Sequence, residues 1–113
     1  MRTSEYRPDF TTTQVIKSTG SDSSVTIPEN LPGSLMSNPL DAGSLYYLCV
    51  DGGPMAINYG GAAVVPTSTG TKNAILEVGN NLTTPVNIPP GTVVHAISLS
   101  GTAYLSIIRA RRA

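Results

Sequence analysis

The chain holds few of the side chains that catalysis requires. It has a single histidine, His95, and a single cysteine, Cys49. His95 falls in a predicted strand, on the face shared by Val93, Ile97 and Leu99, so we expect a hydrogen-bonded core or interface residue rather than a catalytic or pH-sensing group. Cys49 falls in the most apolar segment, where a cysteine normally behaves as a small buried hydrophobe.

The carboxylates between the two ends of the chain are scattered along it, at Asp22, Glu29, Asp41, Asp51 and Glu77. Their spacing indicates neither a metal site nor a carboxylate pair for glycoside cleavage. The glycine pairs at 52–53 and 60–61 are not followed by Gly-Lys-Ser/Thr, so they do not match a phosphate loop. We therefore predict a protein that is not an enzyme and has no cofactor and no metal. A small enzyme stays as the alternative if His95 lies beside a carboxylate in an open pocket.

Half of the formal charge lies in the first ten and the last five residues, and only 12% of the whole chain is charged. Soluble domains have about a quarter of their residues charged, and depletion of charge is typical of the buried centre of protein interfaces. This favours a domain packed against copies of itself or against another protein. The alternative is a small neutral domain kept soluble by Ser, Thr and Asn.

The totals also argue against two classes of partner. Net charge is zero, so no overall field favours nucleic acid or an anionic membrane. The longest apolar runs are six residues, as at 45–50, whereas a membrane-spanning helix needs about 20. The start of the chain has no apolar signal region, and one cysteine cannot form an internal disulfide. We expect folding in a reducing cytoplasm.

Short aliphatic segments separated by Gly, Pro, Ser and Thr predict an all-β fold. Residues 44–50 read as a strand buried on both faces, and residues 55–59 alternate as its hairpin partner. The predicted strands cover 11–18, 23–27, 44–50, 55–59, 74–78, 85–88, 93–99 and 103–109, with 62–65 as a ninth. Eight or nine strands at intervals of about ten residues predict an antiparallel β-sandwich or a jelly-roll-like barrel.

The charged ends suggest arms on this body. We assign residues 1–10 to an N-terminal arm, 11–108 to the β-sandwich domain and 109–113 to a basic C-terminal tail, with a loop over 29–43. On the arms, aromatic residues would anchor contacts and arginines would set their register. The alternative is that the ends are disordered. The predicted interface residues are Arg2, Tyr6, Arg7, Phe10, Arg109, Arg111 and Arg112.

Part of the chain resembles a known family. The order of elements is the strand at 45–50, the segment Pro54-Met-Ala-Ile-Asn-Tyr-Gly-Gly61, a polar loop, Val86–Ser98 with its turn Pro89-Pro90-Gly91-Thr92, and a closing segment at 100–108 that contains Gly-Thr. Residues 45–108 thereby resemble the small β-sandwich virion structural proteins of tailed bacteriophages, of the capsid decoration or cement type. Residues 1–43 and the basic tail have no counterpart in that pattern.

The resemblance implies a non-enzymatic virion subunit, assembled in the bacterial host cytoplasm. It would stabilise the head by binding between capsomers as a homo-oligomer, with a trimer favoured. Its partner would be the major capsid protein or another virion protein, with neither nucleic acid nor membrane involved. The alternative is a tail or tail-fibre subunit, or a receptor- or glycan-binding module whose aromatic platform would come from Tyr46, Tyr47, Tyr59 and Tyr104.

Overall fold

The computed structural model describes residues 6–27, 45–65, 74–82 and 84–112. Arg2 and the loop predicted over 29–43 lie outside these residues. The described residues form strands β1 (Tyr6–Ser18), β2 (Ser23–Thr26), β3 (Leu45–Asp51), β4 (Met55–Tyr59), β5 (Ala74–Leu76), β6 (Gly79–Asn80), β7 (Val86–Asn87), β8 (Val93–Ser98) and β9 (Ala103–Arg112). No helix occurs within these four ranges.

The strands form two antiparallel sheets that pack face to face. The five-stranded sheet has the order β1-β9-β3-β6, and β7 also pairs with β3. The four-stranded sheet has the order β2-β8-β4-β5. This confirms the predicted all-β antiparallel sandwich.

The core lies between the sheets and is built by alternation, since every second side chain of a strand points to the same face. Fully burying one branched aliphatic side chain stabilises the fold by about 1.5–3 kcal/mol. The buried residues between the sheets are Ile16, Ile27, Tyr46, Leu48, Val50, Met55, Ile57, Ile88, Val94, Ala96, Ala103, Leu105 and Ile107.

The outer face of the five-stranded sheet carries a second apolar cluster. Tyr47 and Cys49 alternate with the core residues of β3 and pack with Ile108 and Ala110 of β9. Strand β3 is therefore buried on both faces, as its uninterrupted apolar sequence predicts, with residues 46–50 all buried.

The prediction that residues 44–50 and 55–59 form a hairpin is wrong. β3 belongs to the five-stranded sheet and β4 to the four-stranded sheet, so the turn between them crosses from one layer to the other. At this crossing Gly52 has a φ of 92°, and a Cβ added there would lie 2.5 Å from the carbonyl oxygen of Thr102. The turn requires glycine because it packs directly against the β8–β9 turn, which also crosses between the sheets.

A buried serine pair connects the two layers. Ser18 ends β1 in one sheet, and its hydroxyl accepts the backbone N–H of Ser98 at 2.9 Å, at the end of β8 in the other sheet. The same hydroxyl donates to the carbonyl of Ser21 at 2.7 Å and accepts the N–H of Gly20 at 3.3 Å. Both serines are almost fully buried, so this network fixes how the sheets meet at the β1–β2 corner.

Both predicted arms contribute strands. β1 begins at Tyr6 and β9 continues to Arg112, and the two ends pair with each other through Tyr6↔Arg112, Arg7↔Arg111 and Pro8↔Ala110. The predicted boundaries after residue 10 and before residue 109 therefore fall inside strands. The register shifts between Pro8 and Thr13, because the N-terminal strand bulges there before it resumes regular pairing.

Candidate functional site

His95 lies on the outer face of the four-stranded sheet, where Ile97 packs with Ala56 and Ala63. Its Nδ1 lies 2.9 Å from Oδ2 of Asp22, and the other carboxylate oxygen of Asp22 accepts the N–H of Ala63 at 2.8 Å. An ionised carboxylate only accepts hydrogen bonds, so Nδ1 of His95 carries the proton between them. Asp22 thus joins the start of β2, the middle of β8 and the segment after β4.

This pair meets one half of the condition that would favour an enzyme, since His95 does lie beside a carboxylate. Ser24, its exposed cross-strand neighbour on β2, makes no hydrogen bond to the imidazole in the described structure. No group of three or more His, Cys, Asp or Glu side chains that could hold a metal ion occurs within the described ranges. The two contacts of Asp22 tether the backbone, because they hold Ala63 against the four-stranded sheet.

The sequence gives no local signal for this pair. Asp22 and His95 are 73 residues apart, and the carboxylate lies in a Ser-Asp-Ser-Ser turn that reads as an ordinary surface turn. Only the β2–β8 pairing brings the two side chains together.

Cys49 is buried, as predicted. It lines an open groove of about 540 Å³ together with Asp51, Val78 and Ser106. A second groove, of about 240 Å³, adjoins it and shares Val50 and Gly79. These grooves follow the β3–β6 edge of the five-stranded sheet.

The exposed surface is unusually poor in charge. Eight large hydrophobic side chains are exposed: Phe10, Val15, Tyr59, Val64, Val65, Ile75, Val78 and Tyr104. Six charged side chains are exposed among the described residues: Arg7, Lys17, Asp22, Asp51, Glu77 and Arg111. Within the described ranges, exposed large apolar side chains therefore outnumber exposed charged ones, and they occur on both sheets.

The predicted interface residues, Arg2 aside, meet at one end of the sandwich. Arg7 and Arg111 are exposed and directly opposite one another, and Phe10 is 65% exposed at the bulge. Tyr6 is partly buried and packs against the outer apolar cluster. Antiparallel pairing of the first and last strands brings these residues together.

Arg109 is a correction to the predicted tail. It lies within β9 and is only 3% exposed, opposite Tyr46 of β3. Alternation explains this, because Arg109 shares the inner face with Leu105 and Ile107 rather than extending into solvent. Arg112 closes the same strand opposite Tyr6.

The four tyrosines named for a glycan platform do not form one. Tyr46 and Tyr47 are buried, and their hydroxyl groups have no hydrogen-bond partner in the structure. Burial raises the pKa of both, and the charge of Arg109 lowers that of Tyr46 by less. Tyr59 and Tyr104 are exposed but belong to different sheets.

Comparisons of the chain with family models, curated proteins and solved structures found no match. Among the described residues there is no helix long and apolar enough to cross a membrane.

Proposed function

We propose that this chain is a non-enzymatic structural subunit of a bacteriophage virion, of the capsid decoration or cement type. It acts by packing its outer surface against other copies and against the capsid protein. The observation that carries the proposal is that, among the residues the structure describes, exposed large apolar side chains outnumber exposed charged ones. The assignment to a phage particle depends on the resemblance of residues 45–108 to such proteins.

The exposed apolar groups support assembly because they are distributed rather than isolated. Val15 and Tyr104 lie on neighbouring strands of the five-stranded sheet, and Ile75 lies on the edge strand of the four-stranded sheet. Single exposed hydrophobic residues are normal on monomers, but neighbouring ones, such as Val15 and Tyr104 on adjacent strands, form the kind of patch that is typical of interaction surfaces.

The long first strand supplies a further site for assembly. β1 has 13 residues and forms the outer strand of its sheet, paired along one side with β9. Edge strands of this length are templates for pairing with another chain unless they are protected. Within β1, the Pro8–Thr13 bulge and Lys17 restrict such pairing to a defined part of the edge.

The test is self-association followed by capsid binding. Sedimentation velocity over a wide concentration series should show oligomers of the wild-type chain. Substitutions Val15→Lys and Ile75→Lys should weaken that association, whereas Ser24→Lys, at an exposed polar position of β2, should leave it unchanged. A strictly monomeric wild-type chain at every concentration would contradict the proposal.

Capsid binding is measured with purified phage heads from which this subunit has been removed. Saturable binding at a fixed number of copies per head, competed by unlabelled chain, is the expected result. A clear glycan-array signal without binding to heads would favour the receptor-binding alternative.

A further inference from the structure

The described charges are separated along the sandwich. We define the arginine end by Arg7, Arg109, Arg111 and Arg112, which lie where β1 begins and β9 ends. Asp9 of β1 is the one described carboxylate in this region. Arg109 is buried, so the exposed charge described at this end comes from Arg7 and Arg111, and it is basic.

Arg7 and Arg111 lie opposite one another, and the repulsion between their charges disfavours this pairing in an isolated chain. Arg7 and Arg111 are direct cross-strand partners, so their Cβ atoms lie about 4.5–5.5 Å apart on one face. Like charges in such pairs repel and destabilise a sheet. Both side chains are exposed, and neither makes an ion pair within the described residues. An anionic group bound between them would remove the repulsion.

The opposite end of the sandwich carries exposed carboxylates beside a groove. Asp51 ends β3 opposite Tyr104, near the start of β9. Glu77 directly follows β5, whose Leu76 pairs with the first residue of β4. Asp51 lines the larger groove described above and Glu77 the smaller one, and the two grooves share Val50 and Gly79. We call Asp51, Glu77 and these grooves the carboxylate end.

An arginine side chain fits the carboxylate end chemically. Its aliphatic stem can cover apolar surface such as the exposed Val78 in the groove wall, while the guanidinium reaches the carboxylates. Lys17 is the one described cation near this end, opposite Tyr104 on β1. Neither Asp51 nor Glu77 makes an ion pair within the described residues.

The two ends of one molecule cannot satisfy each other. Arg111 and Tyr104 are seven residues apart on β9, which corresponds to about 23 Å of strand, and the molecule is 42 Å long. That separation exceeds the reach of an arginine side chain. Within the described residues, a charge that complements either end is therefore available only from a second molecule.

We propose that copies of this chain bind head to tail, with the arginine end of one copy seated on the carboxylate end of the next. This inference rests on the proposed self-assembly and specifies its contact. The interface is heterologous, because each copy contributes two different surfaces, and such contacts close into rings or extend as filaments. Exposed Phe10 at one end and exposed Val78 at the other supply the apolar part of the junction.

Charge reversal tests the contact. The double variant R7E/R111E makes both ends acidic, and the double variant D51R/E77R makes both ends basic. Each should lose self-association by about tenfold or more when measured alone by sedimentation velocity. An equimolar mixture should recover it, since acidic ends then meet basic ends. Association of the wild type should also weaken as salt rises. Ser24→Glu, which adds a charge away from both ends, is the matched control and should behave as wild type.

Circular dichroism of each variant establishes that the fold is intact, and the milder R7Q/R111Q variant replaces R7E/R111E if the latter does not fold. If either double variant associates as strongly as wild type, the head-to-tail contact is wrong, although the proposed self-assembly is not contradicted. Loss in both variants without recovery on mixing overturns it as well, because the arginines then bind something other than these carboxylates. Arginine-dependent binding to a DNA duplex, with self-association unaffected, would assign the arginine end to phosphate instead. A wild type that is monomeric throughout overturns both proposals.

Discussion

The buried hydroxyl of Ser18 offers the sharpest test of how the two sheets are joined. Ser18→Ala removes one oxygen that makes three hydrogen bonds, including the one from the N–H of Ser98 in the other sheet. Alanine is close in volume and is well tolerated in buried positions. The change therefore reports the hydrogen bonds rather than packing.

The expected cost follows from what remains after the oxygen is gone. The N–H of Ser98 is buried and loses its acceptor, and an unsatisfied buried donor costs about 1–3 kcal/mol. The carbonyl of Ser21 and the N–H of Gly20 are nearer the surface, since both residues are exposed, so water replaces the oxygen there. We expect a loss of about 2 kcal/mol, which for a domain of this size lowers Tm by about 8 °C.

The assay is urea unfolding followed by circular dichroism, with Ser24→Ala as control. Ser24 is an exposed serine of β2, and surface substitutions of this kind normally change stability by less than about 0.5 kcal/mol. Ser18→Ala should lower the midpoint without changing the slope, because the extent of surface exposed on unfolding is the same. Equal stability of the two variants would refute the role assigned to this network.

Further changes test other parts of the fold. Gly52→Ala should lower the free energy of unfolding by more than about 2 kcal/mol, and by more than Gly20→Ala does. Of these two positions, only at Gly52 would the new Cβ collide with backbone. Thermal unfolding of both variants measures the difference. Tyr46→Phe should be neutral or stabilising by about 1 kcal/mol at pH 7, because it removes a buried hydroxyl without a partner. Since burial raises the pKa of Tyr46 above its usual 10.0, the unfolded chain loses this proton first, and the stability present below about pH 10 falls above it. Tyr46→Phe should therefore flatten the decline in alkaline urea titrations. Asp22→Ala should lower the free energy of unfolding in urea by about 1 kcal/mol. It should also shift the NMR signal of the Ala63 amide, which donates a hydrogen bond to this carboxylate.

The fold class could be predicted because the apolar pattern of the strands is local. Residues 45–50 are apolar without interruption, and the structure covers both faces of that strand. Residues 93–98 alternate and do form a strand, but the structure places Val94 and Ala96 in the core and His95, which the sequence pattern assigns to the apolar face, on the outside of the sheet. Periodicity shows that a segment forms a strand with two distinct faces, and that is a property of each strand by itself.

Strand partners were not predictable in the same way. A Gly-rich segment can form either a hairpin or a turn that crosses between sheets. In both cases the apolar side chains of the two consecutive strands reach the same core. β3 and β4 face each other across the core rather than lying side by side, which depends on the pairing of each with β9 and β8. Those pairings bring together residues 35 to 63 positions apart, so no short motif encodes them.

The candidate site shows the same limit more strongly. Composition alone indicated a surface short of charge. It did not indicate which apolar residues would be exposed, because Val15 and Ile16 are adjacent and similar, yet one is exposed and the other buried. Only the direction of the strand relative to its sheet decides between them.

The concentration of charge in the two ends of the sequence has a different consequence in the folded chain. β1 and β9 are antiparallel neighbours, so the start of one lies beside the end of the other, and charges from opposite ends of the sequence meet at one end of the sandwich. The sheet faces are left nearly uncharged and can pack without desolvating ions, which is the costly part of burying a surface. Affinity would then come from the faces, whereas the charged ends would set direction, as rim charges do at other interfaces. If this division holds, high salt should weaken the R7/R111-dependent contact while leaving the contacts made by Val15 and Ile75. The Val15→Lys and R7E/R111E variants should accordingly differ in how their association responds to salt, and identical responses would refute the division.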